Sequence, residues 1–288
     1  MKLGRREFLK ASGIIAGISI LQPIKLFTPA KAAASTESLS GIAMLIDISK
    51  CIGCWWCYAA CKNYNNLPET VRPEMDDPPE LEAETWSTLF TLQGDDGEWS
   101  SRKHSCMHCI DASCELVCPT GAISHRGAAV VIDQEWCIGC GYCVQACPFD
   151  VPHKDEHLGT ARKCTFCIDR TGNGEEPACA EACPTGAIQF GERTDLITAA
   201  RAQVEELKGN GYPDANLYGE NESGGLHILY VLTDRPSVYG LPEEPQVATS
   251  GAVFKWLSGI IAAGIIAVVP FWYLFKRKNR AKDSGSPT

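Results

Sequence analysis

Residues 51–61 read CIGCWWCYAAC and place four cysteines within eleven positions. Three more groups of four follow, so that all sixteen cysteines belong to a quartet. The groups are Cys51, Cys54, Cys57 and Cys61; Cys106, Cys109, Cys114 and Cys118; Cys137, Cys140, Cys143 and Cys147; and Cys164, Cys167, Cys179 and Cys183. The sequence is therefore organised around a fourfold repeat of thiols.

The spacing inside the groups indicates what the thiols bind. The first and third groups read C-x2-C-x2-C-x3-C, and the second and fourth widen only the middle gap, to four and eleven residues. Proline follows the last cysteine of three groups, at Pro119, Pro148 and Pro184. This run is typical of bacterial iron–sulfur proteins, where the fourth cysteine reaches the other cluster of a pair, and soft thiolates suit such clusters. We predict four [4Fe–4S] clusters with all sixteen cysteines as ligands.

Two other uses of the cysteines compete with this interpretation. An exported protein could form eight disulfides, but disulfides do not explain a constant first gap of two and last gap of three residues. Zinc sites with four cysteines usually pair two separated C-x2-C elements. Histidine is not an expected ligand either, because the six histidines have no regular spacing, and His108 lies in a CMHC group that already has four thiols.

The groups also repeat in pairs. CIGC opens the first and third groups, and CPTGAI closes the second and fourth, at 118–123 and 183–188. Such a repeat predicts an α+β fold of two ferredoxin-like units, each with two clusters. Sequential pairing joins the first group with the second and the third with the fourth. Nested pairing joins the first with the fourth and the second with the third, and the repeat alone does not choose between them.

Both ends of the chain read as targeting segments. Residues 1–32 contain Arg5-Arg6, an apolar stretch and an Ala-Lys-Ala sequence at 30–32, and resemble a Tat signal peptide; a Sec signal or an uncleaved anchor is the alternative. Residues 256–275 are twenty positions without a charge, enough for a transmembrane helix; a buried core helix is the alternative. The basic tail 276–288 predicts a cytoplasmic C-terminus and a periplasmic cluster domain, anchored to the inner membrane by one pass.

Charge and missing motifs exclude several functions. The net charge is −9, and because 1–32 carry +5 and 276–288 carry +4, the body between them carries −18. So acidic a body argues against nucleic-acid binding. The sequence has no phosphate loop, no dinucleotide-binding fingerprint, no nucleophile elbow and no haem attachment motif. We therefore predict an electron carrier with no catalytic residue of its own.

The remaining segments have weaker signals. Acidic and proline-bearing residues at 62–105 predict an irregular surface insertion. Residues 194–208 place Leu196, Ala200, Val204 and Leu207 on one helical face, with Thr194 as N-cap and Gly209 or Gly211 at the end. Residues 226–232, LHILYVL, predict a strand. Trp55 and Trp56 are expected to pack or to contact a partner, and Ile52 and Ile138 to cover clusters.

The chain resembles the iron–sulfur (beta) subunit of membrane-bound formate dehydrogenases. The resemblance covers about 42–275 and rests on LIDISKCIGC, CMHC, CIGCGYCVQACPFDVP, KCTFCIDR, EPACAEACPTGAIQFG, GGLHILYVL and YGLPEEP. It implies nested pairing: Cys51, Cys54, Cys57 and Cys183; Cys61, Cys164, Cys167 and Cys179; Cys106, Cys109, Cys114 and Cys147; and Cys137, Cys140, Cys143 and Cys118.

The resemblance also implies partners. Electrons would enter from a molybdopterin subunit that holds molybdenum or tungsten and oxidises formate, and leave to a membrane cytochrome b that reduces quinone. A Tat signal on this chain is more typical of the related periplasmic [NiFe] hydrogenases, whose large and small subunits are the alternative partner.

These signals divide the chain into seven parts. They are a signal peptide at 1–32, a first cluster motif with an insertion at 42–105, an inner two-cluster unit at 106–150, a closing motif of the outer unit at 151–191, a bracing segment at 192–250, a transmembrane helix at 256–275 and a basic tail at 276–288.

Overall fold

The computed structural model describes residues 41–68, 73–93 and 99–247, together with separate helical positions between 259 and 272. The strands in this part of the chain are β1 (Ile42–Asp47), β2 (Ser87–Gln93), β3 (Trp99–Ser105), β4 (Ile123–Arg126), β5 (Ala129–Ile132), β6 (His153–Lys154), β7 (Ala161–Arg162), β8 (Ile188–Glu192), β9 (Asn216–Tyr218) and β10 (Ile228–Leu232). The α-helices are α1 (Trp56–Tyr64), α2 (Ser113–Leu116), α3 (Tyr142–Ala146), α4 (Ile168–Thr171), α5 (Ala178–Glu181) and α6 (Arg193–Gly209). Short 3-10 helices occupy Ile48–Lys50, Glu222–Gly224 and Pro236–Tyr239.

Distant parts of the chain meet in a four-stranded sheet of order β8-β1-β10-β9. β1 and β10 are parallel, with Met44 opposite Ile228, although more than 180 residues separate them. β8 is antiparallel to β1, and β9 is antiparallel to β10. The strand predicted at 226–232 is therefore confirmed as β10 at the centre of this sheet.

Both faces of the central strands are buried, which explains their unbroken apolar sequence. Successive side chains of a strand point to opposite faces. On β10, Ile228, Tyr230 and Leu232 join the core that contains the cysteine groups, and Leu229 and Val231 face α6. The sheet is thus a wall between the cysteine-bearing part of the molecule and one long helix.

The helix predicted at 194–208 is confirmed as α6. Its buried positions include the four predicted ones, Leu196, Ala200, Val204 and Leu207, which pack on β1 and β10. The predicted N-cap is wrong: Glu192 is the capping residue, Thr194 lies inside the helix, and the Thr194 carbonyl accepts a hydrogen bond from the Thr198 hydroxyl at 2.9 Å. The helix ends at Gly209, one of the two predicted positions.

The predicted irregular insertion at 62–105 is wrong in its second half. β2 and β3 form an antiparallel hairpin, with Ser87 opposite Ser105. The hairpin belongs to the core, because Arg102 is 1% exposed and its Nε donates to the Tyr239 carbonyl at 2.8 Å. The guanidinium of Arg102 stacks on the rings of Phe90 and Tyr230, at 5.4 and 5.8 Å from the centroids.

Three predicted segments lie wholly or mainly outside the described residues. They are the signal peptide at 1–32, the transmembrane helix at 256–275 and the basic tail at 276–288. In the part of the chain that is described, no helix combines the length and the apolar character needed to cross a membrane. The mixed helix-and-strand architecture of the remainder agrees with the α+β prediction.

Candidate metal centres

The four C-x-x-C turns share one backbone conformation. The third residue of each turn has a positive φ: 62° at Gly53, 46° at His108, 64° at Gly139 and 62° at Phe166. Glycine adopts this left-handed region without strain, whereas other residues do so at a cost. A shared turn in spite of that cost indicates that all four groups present their first two thiols in the same way.

The last two thiols of each group are separated by one helical turn. The x3 gap places them four residues apart, which is about 6 Å along a helix. α1 carries Cys57 and Cys61, and α5 carries Cys179 with Cys183 two residues beyond its end. Two thiols that are this far apart can contact different parts of the protein. The two cavities described next show that they do.

Four thiols line a first cavity. They are Cys51, Cys54, Cys57 and Cys183, so that three come from the first group and one from the fourth. Trp55, Leu89 and Ile188 supply apolar wall, and Lys103 supplies a cation. β1 pairs with β8, and this pairing brings the first and fourth cysteine groups together at this cavity.

A second cavity has the reciprocal composition. Its thiols are Cys61 from the first group and Cys164, Cys167 and Cys179 from the fourth. α1 packs against α5. α1 gives one thiol to each cavity, and α5 and the residues just after it do the same with Cys179 and Cys183. Lys103 lines this cavity as well.

The second and third cysteine groups meet in the same manner. Cys109 lies within electrostatic range of Cys106, Cys114 and Cys147, and Cys143 lies within range of Cys137 and Cys140. α2 packs against α3. Cys109, Cys114, Cys118 and Cys137 all pack against a small apolar cluster that contains Cys143. The two cavities and the approach of Cys147 to Cys106 and Cys109 agree with nested pairing and not with sequential pairing. The resemblance assigns Cys118 to the first three thiols of the third group.

The groupings also follow one another in a row. We number the thiol sets by position: set 1 (Cys51, Cys54, Cys57, Cys183), set 2 (Cys61, Cys164, Cys167, Cys179), set 3 (Cys106, Cys109, Cys114, Cys147) and set 4 (Cys118, Cys137, Cys140, Cys143). Cys57 of set 1 interacts with Cys179 of set 2. Cys164 of set 2 interacts with Cys106 of set 3, and Cys114 of set 3 interacts with Cys143 of set 4.

Burial raises the pKa of several of these thiols above the ordinary value. It raises the pKa of Cys57, Cys114 and Cys164 to about 12, against the opposing effect of the nearest lysine, which is Lys103 or Lys163. Burial carries the pKa of Cys61 and Cys109 well above the ordinary value too. Thiols of this kind become thiolates only when a positive centre replaces the proton.

Iron–sulfur clusters fit this donor set. Each set offers soft sulfur ligands only. The first cavity is also lined by Trp55 and the second by Ser87, and the indole Nε1 and the hydroxyl of these residues are buried with no hydrogen-bond partner in the described structure. Inorganic sulfide accepts such hydrogen bonds, and they tune the potential of a cluster. The unpaired hydrogen-bond donors and the sulfur-lined walls both agree with an iron–sulfur cluster as the occupant.

The competing uses of the cysteines have less support. All sixteen cysteines are free thiols, so the disulfide alternative is not realised. Among the described residues, no three histidine, cysteine or acidic side chains converge on a point that could hold one metal ion. His108 is fully buried, and its Nδ1 accepts a hydrogen bond from the Val130 amide at 3.0 Å.

The two tryptophans of the opening stretch differ in their surroundings. Trp55 is 3% exposed and belongs to the core, whereas Trp56 is 60% exposed. Ile52 and Ile138 are each 66% exposed. Ile52 lines the first cavity and also faces solvent.

Sequence reasoning missed two residues at the centre of the arrangement, Lys103 and Lys163. Both are buried among the thiol sets. Each follows an arginine and precedes a C-x-x-C-I-D segment, as RKHSC at 102–106 and RKC at 162–164. This repeated Arg-Lys pair was the available signal.

Comparison with known proteins gives the same assignment. The sequence model of a 4Fe-4S dicluster domain matches residues 98–193. The chain is 40% identical over 257 residues to the formate dehydrogenase-O iron–sulfur subunit of Escherichia coli (strain K12), covering 84% of this chain and 86% of that protein. It is also 40% identical, over 84% of this chain and 87% of the relative, to the iron–sulfur subunit of the nitrate-inducible formate dehydrogenase of the same organism.

A more distant relative extends over nearly the whole length. The Hydrogenase-2 operon protein HybA of Escherichia coli O157:H7 is 29% identical over 322 aligned positions, which cover 98% of this chain and 97% of that protein. The two formate dehydrogenase relatives are both more similar in sequence and cover most of the chain. The protein belongs to the family of formate dehydrogenase iron–sulfur subunits.

Proposed function

We propose that this chain is the electron-transfer subunit of a membrane-bound formate dehydrogenase and that it holds four [4Fe–4S] clusters. The observation that carries the proposal is the row of four thiol sets, two of which line separate cavities of similar size. Family membership supports it, because the relatives named above are iron–sulfur subunits of formate dehydrogenases.

Each thiol set would hold one cluster, with all sixteen cysteines as ligands. When bound, a cluster supplies one-electron redox chemistry at a site that has no other redox group. The chain contributes fixed sulfur ligands, walls that exclude water, and buried donors such as the Trp55 indole. It contributes no catalytic residue, so the chemistry on a substrate belongs to a partner.

The ends of the row are where partners would approach. Near set 1, Ile52 and Trp56 are 66% and 60% exposed, and near set 4, Trp136 and Ile138 are 65% and 66% exposed. Exposed apolar side chains of this size are typical of interaction surfaces. We assign one end to a molybdopterin subunit with molybdenum or tungsten that oxidises formate, and the other to a membrane cytochrome b that passes electrons to quinone.

The location of the protein is part of the proposal. Residues 1–32 would direct export through the Tat pathway, and 256–275 would anchor the chain in the inner membrane by a single pass. The basic tail at 276–288 would then lie in the cytoplasm and the clusters on the periplasmic side.

One observation favours a second function. The hydrogenase-2 operon protein aligns with almost the full length of this chain, and a Tat-type signal on the electron-transfer subunit is expected of the hydrogenase relatives. The alternative is therefore the same electron-transfer role with the large and small subunits of a [NiFe] hydrogenase as donor.

EPR on membranes that contain the tagged full-length chain separates the two. Cluster signals that appear with formate and not with hydrogen support the proposal. Signals that appear with hydrogen alone move the chain to the hydrogenase role. Reduction by neither donor, with dithionite still effective, overturns both and indicates a reductase fed from quinone.

Chemical analysis tests the cofactor itself. Four clusters require about sixteen iron atoms and about sixteen sulfide ions per chain. Zinc without acid-labile sulfide in the purified protein contradicts the proposed cofactor and with it the electron-transfer role.

A further inference from the structure

Two of the three lysines that are buried in the described structure lie among the thiol sets, and neither has a carboxylate partner. Lys103 is 2% exposed and Lys163 is 4% exposed. The ion pairs formed among the described residues include neither of them. A buried ammonium is costly unless an opposite charge accompanies it. Each of these two lysines therefore needs a negative group nearby, and no carboxylate of the described residues supplies it.

Lys103 lies between thiol sets 1 and 2. It is the one residue that the walls of both cavities have in common. Its Nζ donates to the Ser105 hydroxyl at 2.6 Å, which holds the head group in place. Cys57 lines the first cavity with Lys103, and Cys164 and Cys179 line the second.

Lys163 occupies the next junction, between sets 2 and 3. Its Nζ donates to the carbonyl oxygens of Val130 and Cys164, the latter at 3.1 Å. Cys106 and Cys114 of set 3 and Cys164 of set 2 are the thiols around it. The two lysines therefore separate three consecutive sets, and set 2 has one of them on each side.

The fourth set differs from the other three. The strongest electrostatic neighbours of Cys143 are Cys137 and Cys140 of its own set. Cys140 is exposed to solvent. Among the described residues, the junction between sets 3 and 4 brings Cys114 close to Cys143, and neither buried lysine has a member of set 4 among its strongest partners.

We propose that Lys103 and Lys163 are the buried counter-ions of the clusters and that they raise the reduction potentials of the sets they touch, set 2 most of all. This inference rests on the proposed cluster-binding function. Four thiolates outnumber the net positive charge of an iron–sulfur core, so a loaded site is negative and becomes more so on reduction. A fixed cation at low local dielectric stabilises the more negative state.

The redox step itself is simple. A site gains one electron from its neighbour in the row, or from dithionite in a titration. No bond forms or breaks, and the lysine keeps its proton in both states. The lysines thus act on the potential and take no part in the transfer as carriers.

The test is an EPR-monitored redox titration of the cluster-loaded, full-length chain and its variants. Lys103→Met is expected to lower the reduction potentials of sets 1 and 2 by at least about 59 mV. This shift corresponds to about a tenfold decrease in the equilibrium constant for one-electron reduction. Lys163→Met is expected to do the same for sets 2 and 3. Lys103→Arg keeps the charge and should restore potentials close to the wild type. The signals are assigned with Cys51→Ser for set 1, Cys179→Ser for set 2 and Cys106→Ser for set 3.

Lys62 provides the matched control. It is also buried, at 5% exposure, but its Nζ donates to the Glu84 carbonyl at 3.0 Å and the Thr85 hydroxyl at 3.1 Å. Lys62 lines neither thiol cavity. Lys62→Met therefore removes a buried ammonium that does not face these thiols, and it should leave all four potentials within the error of the titration.

Three outcomes are informative. Potentials that stay unchanged in Lys103→Met, or that shift equally in Lys62→Met, overturn the inference. If Lys103→Met does not assemble, Lys103→Gln, which can still donate to Ser105, and Lys163→Gln are titrated by the same criterion. A wild-type chain without iron and sulfide refutes the proposed function, whereas four titrating clusters with unshifted variants refute only the role of the lysines.

Discussion

At the scale of the residue, the two C-x-x-C turns whose third residue is not glycine explain how the second and fourth cysteine groups are joined. His108 and Phe166 both adopt a left-handed backbone, which costs roughly 1–2 kcal/mol each for residues with a side chain. Their rings lie 4.9 Å apart between centroids, and Phe166 also contacts Phe190 at 6.1 Å. Packing between the rings offsets the backbone cost and ties the second group to the fourth.

The two glycines in the same turn position make a matched pair for mutation. A Cβ on Gly139 would overlap the Gly159 carbonyl oxygen, which is backbone and cannot yield, whereas on Gly53 it would meet the thioether end of Met75, which can. The left-handed φ costs both variants roughly 1–2 kcal/mol, and overpacking adds roughly 1–3 kcal/mol at Gly139. We expect Gly139→Ala to lower the Tm and the iron content more than Gly53→Ala. Equal effects of the two variants in thermal unfolding would contradict this account.

Only part of this residue-level detail could be predicted from the sequence. The glycines of CIGC suggest a positive φ by their identity. His108 and Phe166 give no such signal, because their conformation is imposed by packing between segments almost 60 residues apart. The buried lysines were missed for a related reason: local sequence does not tell a solvated lysine from one enclosed by distant thiols.

At the scale of the element, long and regular segments were predictable and hairpins were not. α6 has a helical repeat of apolar residues that matches its buried face. After Trp99, β3 is polar (SSRKHS), yet Ser101, Arg102 and Lys103 are buried. Arg102 contacts rings and a carbonyl oxygen from elsewhere in the chain, and Lys103 lies among distant thiols. No periodicity in 62–105 could therefore have indicated that strand.

The position of α6 predicts that stability and electron transfer can be changed separately. Leu207 is 6% exposed and packs on the sheet face opposite the thiol sets. Leu207→Ala should lower the unfolding free energy by about 2–5 kcal/mol because it leaves a cavity, while the EPR spectrum of the loaded protein stays the same.

Glu206→Ala is the control, because Glu206 is an exposed neighbour on the same helix. It should alter the Tm little. An EPR change in Leu207→Ala without one in Glu206→Ala would mean that α6 supports the cluster sites directly, contrary to the expectation.

At the scale of the whole molecule, the two outer sets cannot form from one half of the chain. Set 1 and set 2 each combine thiols from 51–61 with thiols from 164–183. The parallel pairing of β1 with β10 also joins an early part of the chain to a late one. The inner sets lie between these two segments in sequence, so the ends of the domain must meet before the outer cavities exist.

The proposed membrane anchor at 256–275 can be tested independently of the thiol sets. Deletion of 256–288 should release the cluster domain into the soluble fraction of cells that express this chain without its partners, because the apolar span is removed. Deletion of 276–288 alone keeps the span and should leave the protein in carbonate-washed membranes. Retention of the longer deletion in those membranes would contradict an anchor at 256–275.

The nested grouping predicts an unusual pattern of cysteine variants. Cys179 and Cys183 are four residues apart, but Cys183 lines the cavity of Cys51 and Cys179 lines that of Cys61. In the loaded protein, Cys183→Ser should therefore alter the EPR signal that Cys51→Ser alters, and Cys179→Ser should alter the one that Cys61→Ser alters. Serine is the conservative replacement, since it keeps the size of the ligand and changes sulfur to oxygen. If Cys179→Ser and Cys183→Ser perturbed a single common signal, the two thiols would belong to one cluster, and the row of four sets with one shared lysine at its first junction would have to be abandoned.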